Sequence, residues 1–465
     1  MVFSTPLFLF FFLPVTLAIY YLVPVRWRNA VLLLASLFFY FWGERLYTVI
    51  MLLSTAVDYT HGMLVERFKR AGKLKKARLA VASSMIFNLS ILFFFKYWDL
   101  LAGTLQGLGL RFVPVLGVHL PIGISFYTFQ TMSYTVDVYR GDAKLQRNPI
   151  SFGTFVTLFP QLIAGPIIKY KELGSQLDER SCTVDRFAAG VERFTVGLAK
   201  KLLLANNFGA LWDFFKAAPT LSVGGAWLGV LAFSLQIYFD FSGYSDMAIG
   251  LGRMLGFEFP ENFRYPYIAR SVTEFWRRWH ISLSTWFREY LYIPLGGNRC
   301  SRAKWVRNLF LVWAATGFWH GASWNYLLWG LYYFVWLLLE KLVLGKLLDR
   351  LPGFLRHCYV ALILLFGWAI FALEDFSRLR AYLGAMFGLG GTALWSGVTG
   401  YELLNYLPML LVGLLGATPL AAECFRRLPA GWQRLLRPAL LLAGLLLCTA
   451  YLVAGTYNPF LYFRF

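Results

Sequence analysis

The sequence carries little charge for its length. Charged side chains make up only 15% of its 465 residues, whereas hydrophobic residues make up 58% and aromatic residues 19%. Soluble domains carry about 25% charged residues, so this composition excludes an ordinary soluble enzyme. Apolar runs long enough to cross a bilayer recur from one end to the other. The sequence therefore predicts an all-α polytopic membrane protein in which residues 1–465 form a single integral-membrane domain.

Cysteine is also scarce, and its spacing indicates no metal or redox centre. The five cysteines include no CxxC pair, and Cys300 and Cys424 lie in or beside basic segments where thiols stay reduced. We therefore predict no disulfide, no metal site and no bound cofactor. GxSxG, P-loop and HExxH motifs do not occur, which argues against the chemistries that they carry. Because a charged leader with a cleavage site is missing, we expect the first apolar run to be retained as a membrane span.

Acidic residues are outnumbered, with 24 Asp and Glu against 44 Lys and Arg and a formal net charge of +20. The basic residues cluster in short segments between apolar runs, near residues 67–78, 299–307 and 426–437. This positive-inside pattern predicts that the three segments face the cytoplasm, and it argues against a nucleic-acid partner. The segments either anchor loops alone, or one of them also binds the phosphates of a donor.

Two apolar stretches are interrupted by prolines, glycines and hydroxyl side chains. They span residues 120–142 and 151–170. Such segments tend to face protein or water rather than lipid. We expect either re-entrant elements beside a polar cavity or ordinary kinked spans. Gln130, in the first stretch, is a candidate for a substrate path.

Two acids, Asp240 and Asp246, lie in a long apolar run. A charge at that depth needs a partner. The pattern favours ion pairs with nearby arginines such as Arg253, Arg264 or Arg270. The alternative is that the acids line a path for the donor or the acceptor.

An aromatic and basic segment follows. Ser271 and Glu274 resemble a capping box, so we predict that one helix begins there and ends at Pro294. Aromatic residues share one face with His280 at helical spacing, while arginines point outward. An amphipathic helix of this kind suits the membrane interface, with His280 facing inward from the boundary.

His320 lies in an apolar run with the sequence GFWHGASW. An imidazole can take a proton from a hydroxyl and return it, and burial would keep it neutral. Trp319 and Trp324 would exclude water, and the small Gly321 would let a substrate approach. The alternative is a structural histidine bonded to a neighbour. The candidates for a substrate path are Asp240, Asp246, Gln130, Trp319, Trp324 and Asn325.

Seven blocks in order resemble the membrane-bound O-acyltransferase (MBOAT) family, in particular its bacterial alginate O-acetylation branch. The blocks are MVFSTPLFLFFFLP, SFYTFQTMSYTVDVYRG, QLIAGPI, QIYFDFSGYSDMAIGLGRMLGF, ENFRYPYIARSVTEFWRRWHISLSTWFREYLYIPLGGNR, GFWHGASWNYLLWGLYY and NPFLYFRF. The resemblance covers nearly the whole chain. It implies that His320 is the catalytic histidine and that His280 is a second functional histidine.

The resemblance also implies a bundle of about eleven membrane helices with re-entrant or broken segments and a central funnel. It implies transfer of an acetyl group across the bacterial cytoplasmic (inner) membrane, from acetyl-CoA to a cell-surface polysaccharide such as alginate. An extracytoplasmic SGNH-type acetyltransferase would complete the transfer. The alternatives are transfer of D-alanine or another acyl group from a carrier protein, transport of an acylated lipid or glycan, and a purely structural scaffold. The absence of an inverted repeat weighs against transport.

Overall fold

The computed structural model describes residues 1–455 and 460–461, which contain helices and no β-strand. Within this part of the chain, seven helical segments are long and apolar enough to cross a membrane. They are Tyr47–Arg70, Leu74–Gly107, Val223–Met254, Trp324–Arg350, Gly353–Ala372, Gly397–Gly416 and Ala430–Ala454. The prediction of an all-α polytopic protein is confirmed. The count of about eleven is not, because some expected spans fall in helices shorter than the roughly 20 residues that a bilayer requires.

An apolar helix near the start of the chain shows why the count differs. It has only 16 residues, Arg28–Gly43. The first span falls in the shorter apolar segment Phe8–Leu22. Apolar composition predicted both segments correctly as helical, but composition does not fix where a helix ends.

The described residues divide into two compact units, and the prediction of a single domain stays a prediction. The first unit comprises Met1–Phe194 and Ser245–Pro260. Its helices are α1 (Leu13–Leu22), α2 (Arg28–Gly43), α3 (Tyr47–Arg70), α4 (Leu74–Gly107), α5 (Ile124–Arg140), α6 (Pro149–Thr157), α7 (Phe159–Leu162) and α8 (Tyr170–Asp178), with the start of α9 (Val184–Ala199).

The second unit comprises Thr195–Tyr244 and Glu261–Phe465, of which residues 456–459 and 462–465 lie outside the described part. Its helices are α10 (Asn206–Ala217), most of α11 (Val223–Met254), α12 (Val272–Arg278), α13 (Ile281–Phe287), α14 (Arg302–His320), α15 (Trp324–Leu339), α16 (Gly345–Arg350), α17 (Gly353–Ala372), α18 (Phe376–Met386), α19 (Gly397–Gly416), α20 (Leu420–Arg427) and α21 (Ala430–Ala454). Short 3₁₀ or π segments are Phe8–Phe12, Val25–Trp27, Lys200–Ala205, Pro266–Ile268, Arg288–Tyr292 and Glu340–Leu344.

The two interrupted stretches fold differently from each other. Residues 124–140 form one continuous helix, α5, with buried side chains on all its faces. Residues 151–170 are broken into parts of three helices, and every one of them is buried. The second stretch is therefore a broken element, as expected, whereas the helical part of the first is not interrupted, because Pro121 and Gly123 precede α5 instead of breaking it.

Candidate functional site

A tight helical hairpin places His320. It is the last residue of α14, and α15 begins four residues later at Trp324. The two helices approach closely because Gly317 of α14 packs against the backbone of α15. A Cβ at Gly317 would lie 2.5 Å from the carbonyl oxygen of Tyr326. Any larger side chain at that position would push the helices apart. His320 is therefore held at the closed end of a rigid hairpin.

Aromatic rings surround the His320 imidazole. Its ring centroid lies 5.1 Å from that of Trp319, 4.9 Å from that of Trp329 and 5.4 Å from that of Phe371. His320 is only 6% exposed. The expected apolar walls are present, but Trp329 and Phe371 form them together with Trp319. The predicted wall residue Trp324 is 45% exposed.

The small residue after His320 has a different role from the one expected. A Cβ on Gly321 would clash with the ring of Tyr326. The space beside Gly321 is therefore filled by that ring and is not open to a substrate. The expectation that Gly321 admits a substrate was wrong, because it was made without knowledge of which side chain of α15 packs there.

Asn325 joins α15 to α17. Its amide nitrogen donates to the carbonyl oxygens of Ile370, at 3.2 Å, and Phe371, at 3.1 Å. Phe371 in turn contacts the His320 ring. Asn325 thus holds one wall of the histidine pocket in place, and its assignment to a substrate path stays a prediction.

His280 lies at a break between two short helices. The predicted single helix is wrong: α12 ends at Arg278, α13 begins at Ile281, and His280 between them has φ 44° and ψ 54°. A left-handed residue with a Cβ costs about 1–2 kcal/mol relative to ordinary backbone. Strained residues of this kind cluster at functional sites, which makes His280 a candidate.

The start of α12 is as predicted, with an unexpected buried carboxylate beside it. Ser271 accepts a hydrogen bond from the Glu274 backbone N–H at 3.0 Å. The Glu340 carboxylate accepts from the backbone N–H of Val272 at 2.5 Å and of Thr273 at 2.9 Å. A negative charge at a helix N-terminus is stabilised by the unpaired N–H groups there. Glu340 thereby fixes the position of the helix that leads to His280.

The His280 ring is enclosed by Asn262, Phe241 and Trp319. Its Nδ1 lies 3.2 Å from Oδ1 of Asn262. Its ring centroid lies 4.7 Å from that of Phe241 and 5.9 Å from that of Trp319. His280 lies outside the seven candidate spans. Burial, and secondarily the proximity of His320, lower the pKa of His280 well below its usual value. The imidazole is therefore neutral at neutral pH.

Trp319 connects the two histidines. Its ring is close to both imidazoles, at the centroid distances given above. The neutral imidazole of His280 and the buried imidazole of His320 provide proton acceptors among apolar rings. Such a pocket suits proton transfer to and from a hydroxyl.

The two acids of α11 form ion pairs, but not with the arginines expected. Asp240 pairs with Lys201 at 2.6 Å, and the two side chains are 4% and 3% exposed. Asp246 pairs with Arg193 at 2.6 Å. These partners lie on helices that pack against α11, whereas the expected arginines were chosen because they follow in sequence. A second Asp240 oxygen accepts the backbone N–H of Leu461 at 2.7 Å.

Gln130 lies in the first unit, on α5, and its side chain is fully buried. Within the described residues neither its amide oxygen nor its amide nitrogen has a hydrogen-bond partner. Its assignment to a substrate path stays a prediction. Among the same described residues, no group of three His, Cys, Asp or Glu side chains is arranged to hold a metal.

Several residues of the histidine pocket were missed by sequence reasoning. These are Asn262, Trp329 and Phe371. They are far from the histidines in sequence or separated from them by a turn, and no motif connects them; the same is true of Glu340, which binds the N-terminus of α12. Only the helical spacing between Trp329 and the start of α15 could have suggested that it faces the hairpin.

Fold and site together define an integral-membrane protein with a buried, aromatic-lined pair of histidines. Comparison with known proteins shows that the chain belongs to the MBOAT, membrane-bound O-acyltransferase family, which matches residues 38–371. The chain is thus a multi-pass membrane acyltransferase. Both histidines lie within the matched region.

Three relatives illustrate the similarity. A Pseudomonas putida protein named probable alginate O-acetylase is 41% identical over 491 aligned residues, covering 100% of both chains. A Pseudomonas aeruginosa protein of the same name is 43% identical over 427 residues, covering 89% of this chain and 82% of that one. The peptidoglycan O-acetyltransferase of Helicobacter pylori is 35% identical over 432 residues, covering 85% of this chain and 81% of that one.

Proposed function

We propose that this protein transfers acetyl groups from acetyl-CoA, on the cytoplasmic side of the bacterial inner membrane, for O-acetylation of a cell-surface polysaccharide such as alginate. Support comes from the relatives named as alginate O-acetylases, one of which aligns over its full length. The peptidoglycan O-acetyltransferase supports acetyl as the transferred group, although its acceptor polymer differs. The observation that carries the chemistry is the burial of His320 among three aromatic rings.

In the proposed reaction, His320 is the general base. The imidazole takes the proton of the acceptor hydroxyl as the oxygen attacks the thioester carbonyl carbon. The carbon–sulfur bond breaks, and the proton passes to the departing thiolate. The acetyl ester and the free thiol of CoA are the products. Apolar walls favour this sequence because they exclude water, which would otherwise hydrolyse the thioester.

The wider partners belong to the same proposal. An extracytoplasmic SGNH-type acetyltransferase receives the acetyl group or delivers it to the polymer. The basic segment near residues 299–307, which precedes α14, is a suitable place for the phosphates of a cytoplasmic donor because it is rich in arginine and lysine.

The test is acetyl transfer by the purified protein in detergent, with radiolabelled acetyl-CoA and a soluble oligosaccharide acceptor. Labelled product is expected with acetyl-CoA and not with a D-alanylated carrier protein. Product from the carrier alone would instead identify the protein as a D-alanyltransferase. No transfer from either donor, together with movement of an acylated glycan across sealed vesicles, would identify a transporter.

A further inference from the structure

The loop 261–265 runs alongside the break that holds His280, and two backbone hydrogen bonds join them. The Ile281 N–H donates to the Asn262 carbonyl at 3.0 Å, and the Arg264 N–H donates to the Arg278 carbonyl at 2.9 Å. Asn262 is completely buried. These contacts hold the left-handed backbone at His280 and offset part of its cost.

The side chain of Asn262 makes three further contacts through one atom. Oδ1 lies 3.2 Å from the Ser282 backbone nitrogen, 2.9 Å from Ser282 Oγ and 3.2 Å from His280 Nδ1. A backbone N–H can only donate, so the atom facing Ser282 must be the amide oxygen and not the amide nitrogen. The hydrogen-bond network therefore determines the orientation of this amide.

That orientation determines where the His280 proton is. Because an amide oxygen only accepts, the nitrogen beside it must be the donor, and His280 Nδ1 carries the proton. In a neutral imidazole the other nitrogen, Nε2, then carries the lone pair.

We infer that Asn262 is a positioning residue that fixes His280 in the Nδ1–H tautomer and so presents Nε2 to the reaction as a proton or hydrogen-bond acceptor. In this state Nε2 of His280 can accept a hydrogen bond from a hydroxyl, but it carries no proton to donate. The two histidines are then not interchangeable: His320 both takes and returns the proton, and His280 orients the acceptor hydroxyl. The role of His280 in the reaction rests on the proposed acyl transfer. Its tautomer rests on the hydrogen bonds alone.

The tautomer can be measured without substrate. Protein labelled with ¹⁵N-histidine gives distinct nitrogen resonances for the two tautomers, and the His280 signals are those missing from His280→Gln. We expect a protonated Nδ1 and an unprotonated Nε2 in the wild-type protein, and a mixture of tautomers in Asn262→Ala. Ser282→Ala is the matched control, because the Ser282 backbone N–H still orients the amide. A wild-type His280 protonated on Nε2 would overturn the inference.

Kinetics provide the second readout. Asn262→Ala should lower kcat by about 10- to 100-fold, the cost seen when a metal-bound histidine loses the partner that orients its ring, with little change in KM. Asn262→Asp places a carboxylate beside Nδ1 and should raise the pKa of His280, which moves the acid limb of the kcat profile to higher pH. His320 also lowers the pKa of this ring, so the profile of Asn262→Asp is compared in a wild-type and a His320→Gln background. An unchanged kcat and profile in folded Asn262 variants would contradict the positioning role. Inactivity of the wild-type protein with the expected tautomer would contradict the proposed function alone.

Discussion

Removing one partner of the buried ion pair between Lys201 and Asp240 should destabilise the protein more than removing one partner of an exposed ion pair. Both side chains are at most 4% exposed, and their charged atoms lie 2.6 Å apart. Lys201→Met removes one charge and leaves the Asp240 carboxylate buried without its counter-ion. Removing one partner of a buried pair costs about 3–5 kcal/mol of the free energy of unfolding.

The size of this effect follows from desolvation and not from the attraction alone. If both charges are removed, no ion remains to be desolvated, and the loss should largely disappear. Lys201→Met combined with Asp240→Asn tests this point. The amide oxygen introduced at position 240 can still accept the Leu461 backbone N–H, so only the charge is lost. We expect the double variant to be more stable than Lys201→Met.

The assay is the thermal unfolding midpoint of the detergent-purified protein, measured by the loss of the monodisperse peak after heating. The matched control is Arg70→Met, which removes the cation of an exposed ion pair with Glu66 and should cost less than about 1 kcal/mol. The reasoning is refuted if Lys201→Met lowers the midpoint no more than Arg70→Met, or if the double variant is less stable than Lys201→Met.

Three other predictions concern the histidine pocket and the helix α12 that leads to it. Glu340→Gln should weaken the N-terminus of α12 by about 1 kcal/mol or more, measured as a lower unfolding midpoint, because Val272 and its neighbour lose a charged acceptor; an unchanged midpoint would contradict this. Gly321→Ala should lower the yield of folded protein and the rate of acyl transfer, since the new methyl clashes with Tyr326, whereas normal yield and rate would show that the ring can move aside. The pKa of His280 is lowered in the folded state, so the unfolded chain binds a proton first as pH falls below about 6.5. The free energy of unfolding should therefore decrease on acidification, and more so in wild-type protein than in His280→Gln. An equal slope in both proteins would contradict the assignment of a neutral His280.

Sequence alone predicted the features that depend on local pattern. The apolar runs predicted helices, Ser271 predicted the start of α12, and Trp319 was correctly predicted as an apolar wall beside His320. Each of these follows from residues close together in the chain, where helical periodicity and capping chemistry are sufficient.

Features that depend on distant residues were not predictable in the same way. The helical pattern runs straight through His280, and the break there depends on Asn262, which binds the chain 18 residues later. The ion-pair partner of Asp240 is Lys201, 39 residues earlier. This pairing was not predictable, because the sequence does not show which neighbouring helix a lysine in an apolar helix faces. Likewise, only the packing of α15 against α14 shows that the Tyr326 ring occupies the space beside Gly321.

The central claim is that His320 is the base of acyl transfer. The most direct test compares His320→Gln with His119→Gln, a matched change at an exposed histidine outside the pocket, in the acetyl-transfer assay with purified, monodisperse protein. General-base catalysis typically contributes about 10²- to 10⁴-fold, so kcat should fall by at least about 100-fold in His320→Gln and stay near the wild-type value in His119→Gln. A His320→Gln protein that transfers acetyl groups within a few-fold of the wild-type rate would contradict the account.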